Sequence, residues 1–114
     1  MAKATTETIL QHHGQALVSR NLDDIMKDYS KDSVLFTPQG TFKGLEGILS
    51  AFQGLFAASP PDALANFKNI KQEIHGEYAY LLWSAPPAFP FGGDTFHVRN
   101  GKIMMQSFVA QMGP

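Results

Sequence analysis

The side chains able to move a proton near neutral pH are few in this chain: four histidines, ten Asp and Glu residues and no cysteine. Two of them fall where chemistry is conceivable. His13 lies on an apolar stripe, Ile9, Leu10, His13, Ala16 and Leu17, whose three- and four-residue spacing is that of one helix face. An imidazole there is either a core histidine with one satisfied nitrogen or a general acid/base or ligand anchor, because it titrates near neutrality. Asp94 shares strand parity with Phe96 and Val98. Where those two face an interior, so does the carboxyl. Desolvation then disfavours its charged form and makes it a candidate proton donor. The competing reading takes Gly92-Gly93-Asp94 as a loop with the acid in solvent. In its sharpest form the functional reading is a His13–Asp94 hydrogen bond across a pocket, which would fix the histidine tautomer.

Two further residues bear on a pocket. Trp83, the only tryptophan, stands in the strand-like run Tyr78 to Ala85 and serves either as packing or as a pocket wall with an N–H to offer. Gln106 is an amide on an apolar strand and needs partners, a backbone group, water or a ligand carbonyl. Metal chemistry is not expected. His12 and His13 are adjacent and so point apart on a helix, while His75 and His97 lack any HxxxH or HExxH companion. His97 has the parity opposite to Asp94 and should face outward or into a dimer contact. The absence of cysteine removes disulfides and thiol catalysis. No phosphate loop or dinucleotide fingerprint is present, so no cofactor is expected.

The elements that must position these groups are legible in order. A first helix should run from Thr5 or Thr6 to about Ser19, with Thr5 a plausible N-cap. A short second helix follows Asn21, burying Leu22, Ile25, Met26 and Tyr29. Ser33 to Thr37 reads as a strand stopped by Pro38, and Thr41-Phe42 as a small one. Gly44 to Phe56 reads as a third helix with Phe52 and Phe56 on its apolar side. Leu64 to His75 and Tyr78 to Ala85 read as strands, the first with a bulge. Pro86, Pro87 and Pro90 argue that residues 86–93 form an edge or loop. Asn100-Gly101 then closes a hairpin between Asp94–Arg99 and a strand apolar on both faces. Helices first and strands last argue for an α+β fold, a curved antiparallel β-sheet wrapped around three helices from the N-terminal half.

One hundred and fourteen residues suit a single domain, 1–114, burying roughly two thirds of its unfolded surface. A formal net charge of −1 without charge blocks gives no reason to expect nucleic acid as a partner. No run resembles a signal peptide or a membrane span, so the expected location is the cytoplasm.

Three stretches, taken together, resemble the NTF2-like superfamily and within it the SnoaL-like and ketosteroid-isomerase-like branch. They are SRNLDDIMKDYSKDSVLF, FKGLEGILSAF and FHVRNGKI. The resemblance implies a cone whose mouth opens into an apolar pocket for a small apolar molecule, and a homodimer through the outer sheet face. The order and spacing of the pieces point to the fold and not to a function; the first reading within it is a SnoaL-like enzyme of isomerase, cyclase or lyase type, working by acid–base chemistry on an apolar carbonyl-bearing or cyclic substrate. A non-catalytic ligand-binding or dimerisation module of the same shape is the alternative. Laid on the steroid-isomerase pattern, His13 and Asp94 fall at the oxyanion-binding positions and are the catalytic candidates. Thr37 falls where the base would be, which speaks against allylic isomerisation because a hydroxyl does not titrate near neutral pH. Thr37, Phe52, Phe56, Trp83, Phe96 and Gln106 are the residues expected to shape the ligand pocket.

Overall fold

Asn100 and Gly101 hold φ of 53° and 75°, the pair of positive angles that a two-residue hairpin turn requires. In the computed structural model, which describes residues 5–111, this turn joins β5 (Phe89–Arg99) to β6 (Lys102–Gln111). The remaining elements are α1 (Thr6–Val18), α2 (Leu22–Met26), β1 (Tyr29–Thr37), β2 (Gly40–Lys43), α3 (Gly44–Ala58), β3 (Lys68–His75) and β4 (Tyr78–Ala85). Both expected caps are made. The Thr5 hydroxyl accepts from the Thr8 amide while Thr8 Oγ1 takes the Thr5 amide, and the Asn21 side chain accepts from the Asp24 amide.

The six strands form one curved sheet in the order β2-β1-β6-β5-β4-β3. It is antiparallel except at one junction, where β1 runs parallel to β6. No hairpin constrains that pair, because α3 and four other strands lie between them in the chain. The inner face carries registered rows: Ala79, Phe96, Gln106, Leu35 and Phe42, then Leu81, Asp94 and Phe108, then Trp83, Gly92 and Ala110. The helices cover this face, and Leu10, Ile25, Tyr29, Ile48, Phe52, Phe96 and Ile103 form the main core.

Three departures from simple periodicity matter. Residues 64–67 do not extend β3. Ala63 and Leu64 instead turn under Trp83 and Phe89 in a second small core, so their apolar character reflects packing and not a ladder. Residues 89–93, expected as edge or loop, belong to β5. Pro90 is tolerated there because the β4–β5 register shifts between Trp83 and Ala85, so its missing N–H forfeits no ladder bond. The Ser84 hydroxyl donates to the Pro90 carbonyl at this point, at 2.8 Å. In β6, Val98 pairs with Ile103 but His97 with Met105. Met104 is therefore an extra residue that reverses the alternation and lets Ile103 and Gln106 both point inward.

Candidate functional site

Between α3, the end of β1 and the inner sheet face lies a cavity of about 490 Å³. Its wall is mostly apolar, with Phe52 and Leu55 from α3 and Phe67, Trp83, Phe89 and Phe108 from the sheet side. The polar exceptions are Thr37, Gln39, Ser50, Asp94 and Gln106, and Asp94 is the one titratable side chain among the described lining residues.

Asp94 is buried, and both its oxygens are occupied. Trp83 Nε1 donates to Oδ1 at 2.7 Å and Gln106 Nε2 donates to Oδ2 at 2.6 Å. The Tyr29 hydroxyl in turn donates to Gln106 Oε1. Strand alternation brings Asp94 inward, and the β5–β6 register sets Gln106 opposite Phe96, diagonal to Asp94. Trp83 can reach because it lies flat over Gly92: a Cβ added there would sit 2.3 Å from the indole ring. The indole is stacked between Phe67 and Phe108, at 5.2 and 6.3 Å between centroids. Trp83 is thus at once packing, pocket wall and hydrogen-bond donor.

Burial pushes the Asp94 carboxyl above the usual carboxylate range, against the opposing pull of the hydrogen bonds from Trp83 and Gln106 and the charge of His13. Burial likewise pushes the Tyr29 phenol well above its ordinary value, with the charges of Asp94 and Asp28 adding to the effect. The phenol therefore keeps its proton. The hydrogen bonds converge: Tyr29 gives to Gln106, and Gln106 and Trp83 give to Asp94. As oriented, neither side-chain partner of Asp94 accepts from it.

The other expected residues divide. Thr37, Phe52, Trp83 and Gln106 line the cavity together with Asp94. The Thr37 hydroxyl is engaged in its own turn, donating to the Gly40 carbonyl and accepting from the Gln39 amide. Phe56 lies outside the cavity lining, packed on the core with the Arg20 guanidinium 4.6 Å from its ring centre. Phe96 is almost fully buried and faces His13. His13 is buried among Tyr29, Phe52 and Phe96, with ring centroids 5.8–6.1 Å away. The expected His13–Asp94 hydrogen bond is not formed. Among the described residues His13 makes no hydrogen bond through either ring nitrogen, and its Nδ1 lies 3.5 Å from Asp28 Oδ2. With Phe96 it borders a separate cleft of about 570 Å³ between α1 and the β3–β4 side of the sheet. Gln106 meets side chains where a backbone group, water or ligand was expected. His97 is on the outer face, where its parity puts it, paired with Glu77 at 3.0 Å and stacked on Tyr78.

Asp28 and Tyr29 escaped the sequence reading as site residues. Asp28 is buried and bound through both oxygens by His12 Nδ1, at 2.8 and 3.0 Å. A tyrosine on the buried stripe with Leu22, Ile25 and Met26 was the available signal, since a buried phenol needs a partner. Among the described residues no three His, Asp or Glu side chains converge as metal ligands would. None of the described helices is long and apolar enough to cross a membrane.

No family model and no curated protein matches the sequence. Solved structures do match over nearly the whole chain. A SnoaL-like protein of unknown function from Burkholderia thailandensis superposes with a TM-score of 0.78 at 13% identity, covering 97% of this chain and 98% of its own. An NTF2-like protein of unknown function from Burkholderia xenovorans gives 0.75 at 18% identity, over 96% and 84%. A "putative polyketide cyclase" from Sinorhizobium meliloti gives 0.73 at 16% identity, over 88% and 92%. At such identities the likeness establishes the fold, an α+β NTF2-like cone, and not an activity.

Proposed function

We propose, with the NTF2-like fold as premise, that the protein is a small-molecule enzyme. It would perform acid–base chemistry of the isomerase, cyclase or lyase kind on an apolar, carbonyl-bearing or cyclic substrate in the cavity. The observation that carries this is the Asp94 carboxyl: buried, raised in pKa, and fed by donors only. Asp94 would give its proton to a carbonyl or leaving hydroxyl and take one back in a later step. His13 does not line this cavity and enters behind Phe96, not as a group in contact with the guest. Thr37, Phe52, Trp83 and Gln106 would shape the bound ring system, and a volume of this order suits a guest of drug-like size.

A second reading, a non-catalytic ligand-binding module, has its own support. Among the described residues only one titratable group lines the cavity, and a hydroxyl, Thr37, falls where the steroid-isomerase resemblance would put a base. Thermal-shift screening against steroids, aromatic polyketides and terpenoids tests binding, since a ligand at 100 times its Kd stabilises by about 2.7 kcal/mol. Each stabiliser is then incubated with the protein in D₂O and followed by NMR. Deuterium uptake or a new product is expected, and it should be lost in Asp94→Asn. Binding without any change in the ligand favours the module, and no stabiliser at all sinks both readings.

Homodimerisation through the outer sheet face is part of the same proposal. Phe36, Tyr78, Tyr80 and Val109 are all at least 44% exposed there, a set of the kind that marks a protein contact. Light scattering should give twice the chain mass, and Tyr80→Glu should return it to one.

A further inference from the structure

Tyr29 lines neither the cavity nor the cleft, yet the directions of the hydrogen bonds give it authority over Asp94. An amide side chain has a donor end and an acceptor end of nearly the same shape. The Tyr29 oxygen could itself accept from the amide nitrogen, but its proton has Gln106 Oε1 as its acceptor among the described residues, which favours the orientation seen. The phenol is almost fully buried, holds its proton and gives it to Gln106 Oε1. That leaves the Gln106 NH₂ for Asp94 Oδ2. Trp83 cannot substitute for this control, because an indole N–H is a donor in either state.

We propose that Tyr29 is a positioning residue: by locking the Gln106 amide with its nitrogen toward Asp94, it keeps any proton on Asp94 directed into the cavity. Without the phenol, Gln106 is free to turn over. Its carbonyl would then face Asp94 Oδ2 and accept the carboxylic proton in an internal O–H···O bond, away from any guest. The flipped amide binds only the protonated acid and repels the anion, so the carboxyl should also hold its proton to higher pH. The inference rests on reading Asp94 as the proton-handling group, but its test requires no substrate.

The experiment is a pH titration of the Asp94 carboxyl carbon by NMR in four proteins: wild type, Tyr29→Phe, Gln106→Met and the double variant. Tyr29→Phe should raise the Asp94 midpoint by about one pH unit, the order of one hydrogen bond, in the Gln106 background. It should leave the midpoint unchanged in the Gln106→Met background, because Tyr29 acts only through the amide. An equal shift in both backgrounds, or none in either, overturns the proposal. Should Tyr29→Phe fail to fold, the wild-type protein carries the test through its Gln106 side-chain amide. Its ¹⁵N resonance must follow the Asp94 titration, and an amide indifferent to that titration overturns the lock. A protein that shows the coupling but converts no ligand loses the enzyme reading and keeps this role for Tyr29. One that converts a ligand without the coupling does the reverse.

Discussion

Two buried aspartates flank Tyr29, and they are held in opposite ways. Asp94 receives two neutral donors and opens on a cavity. Asp28 is bound through both oxygens by His12, lies 3.5 Å from His13 and borders neither the cavity nor the cleft. A carboxyl fed by neutral donors can change charge and keep its partners, whereas both Asp28 oxygens are taken up by a single imidazole nitrogen. Burial alone therefore does not separate the two; the neutral hydrogen-bond shell and the open side do, and on the proposed function they are what would let Asp94 act as an acid.

The contrast can be broken most sharply by exchanging function for stability. On any ligand that the wild type converts, Asp94→Asn should lower kcat by about 10²- to 10⁴-fold, while Asp28→Asn, where folded, should stay within about tenfold. Equal losses at both positions would erase the distinction. In unfolding by urea the order reverses. Asp28→Ala leaves the His12 ring without its acceptor and opens a gap beside His13, and should destabilise by about 2 kcal/mol. Asp94→Asn should lose clearly less.

Gly92→Ala tests the Trp83 side of the comparison. The added methyl would meet the indole at 2.3 Å, so Trp83 must move. A loss of about 2 kcal/mol is expected, together with a changed Trp83 indole N–H resonance. At Gly14 in α1, where nothing lies within 4 Å of an added Cβ, the same substitution should stabilise by up to about 1 kcal/mol.

The smallest effect is a slope. The folded pKa of Asp94 lies above its unfolded value, so between the two the native state binds more protons. Its contribution therefore falls as pH rises from the ordinary carboxylate range through the raised one. Stability measured across that window should carry a downward component that Asp94→Asn removes and Asp28→Asn leaves in place.

Much of this was visible in the residues, and the remainder was hidden for physical reasons. Thr5, Asn21 and Asn100-Gly101 act within three or four positions of themselves, and each did what its chemistry predicts. Alternation placed Asp94 with Phe96 on the inner face, and it is buried there. Partners were another matter. Tyr29 meets Gln106 across 77 positions of sequence, through the parallel β1–β6 alignment and the Met104 bulge, neither of which leaves a local trace. Helical spacing identified His13 as buried, but it could not say on which side of Phe96 the imidazole would come to rest.

That parallel alignment also bears on how the chain becomes a protein. β6 is the last of the described strands in sequence and sits in the middle of the sheet, between β1 and β5. Without β6 the β1–β2 hairpin and the β3–β4–β5 meander share no strand pairing, so the sheet is joined only where β6 pairs with both β1 and β5. Such non-local closure slows folding and leaves the unjoined halves open to wrong partners. A synthetic peptide of residues 102–111, added to a chain ending at Gly101, would supply the missing seam from outside and make that joining step measurable.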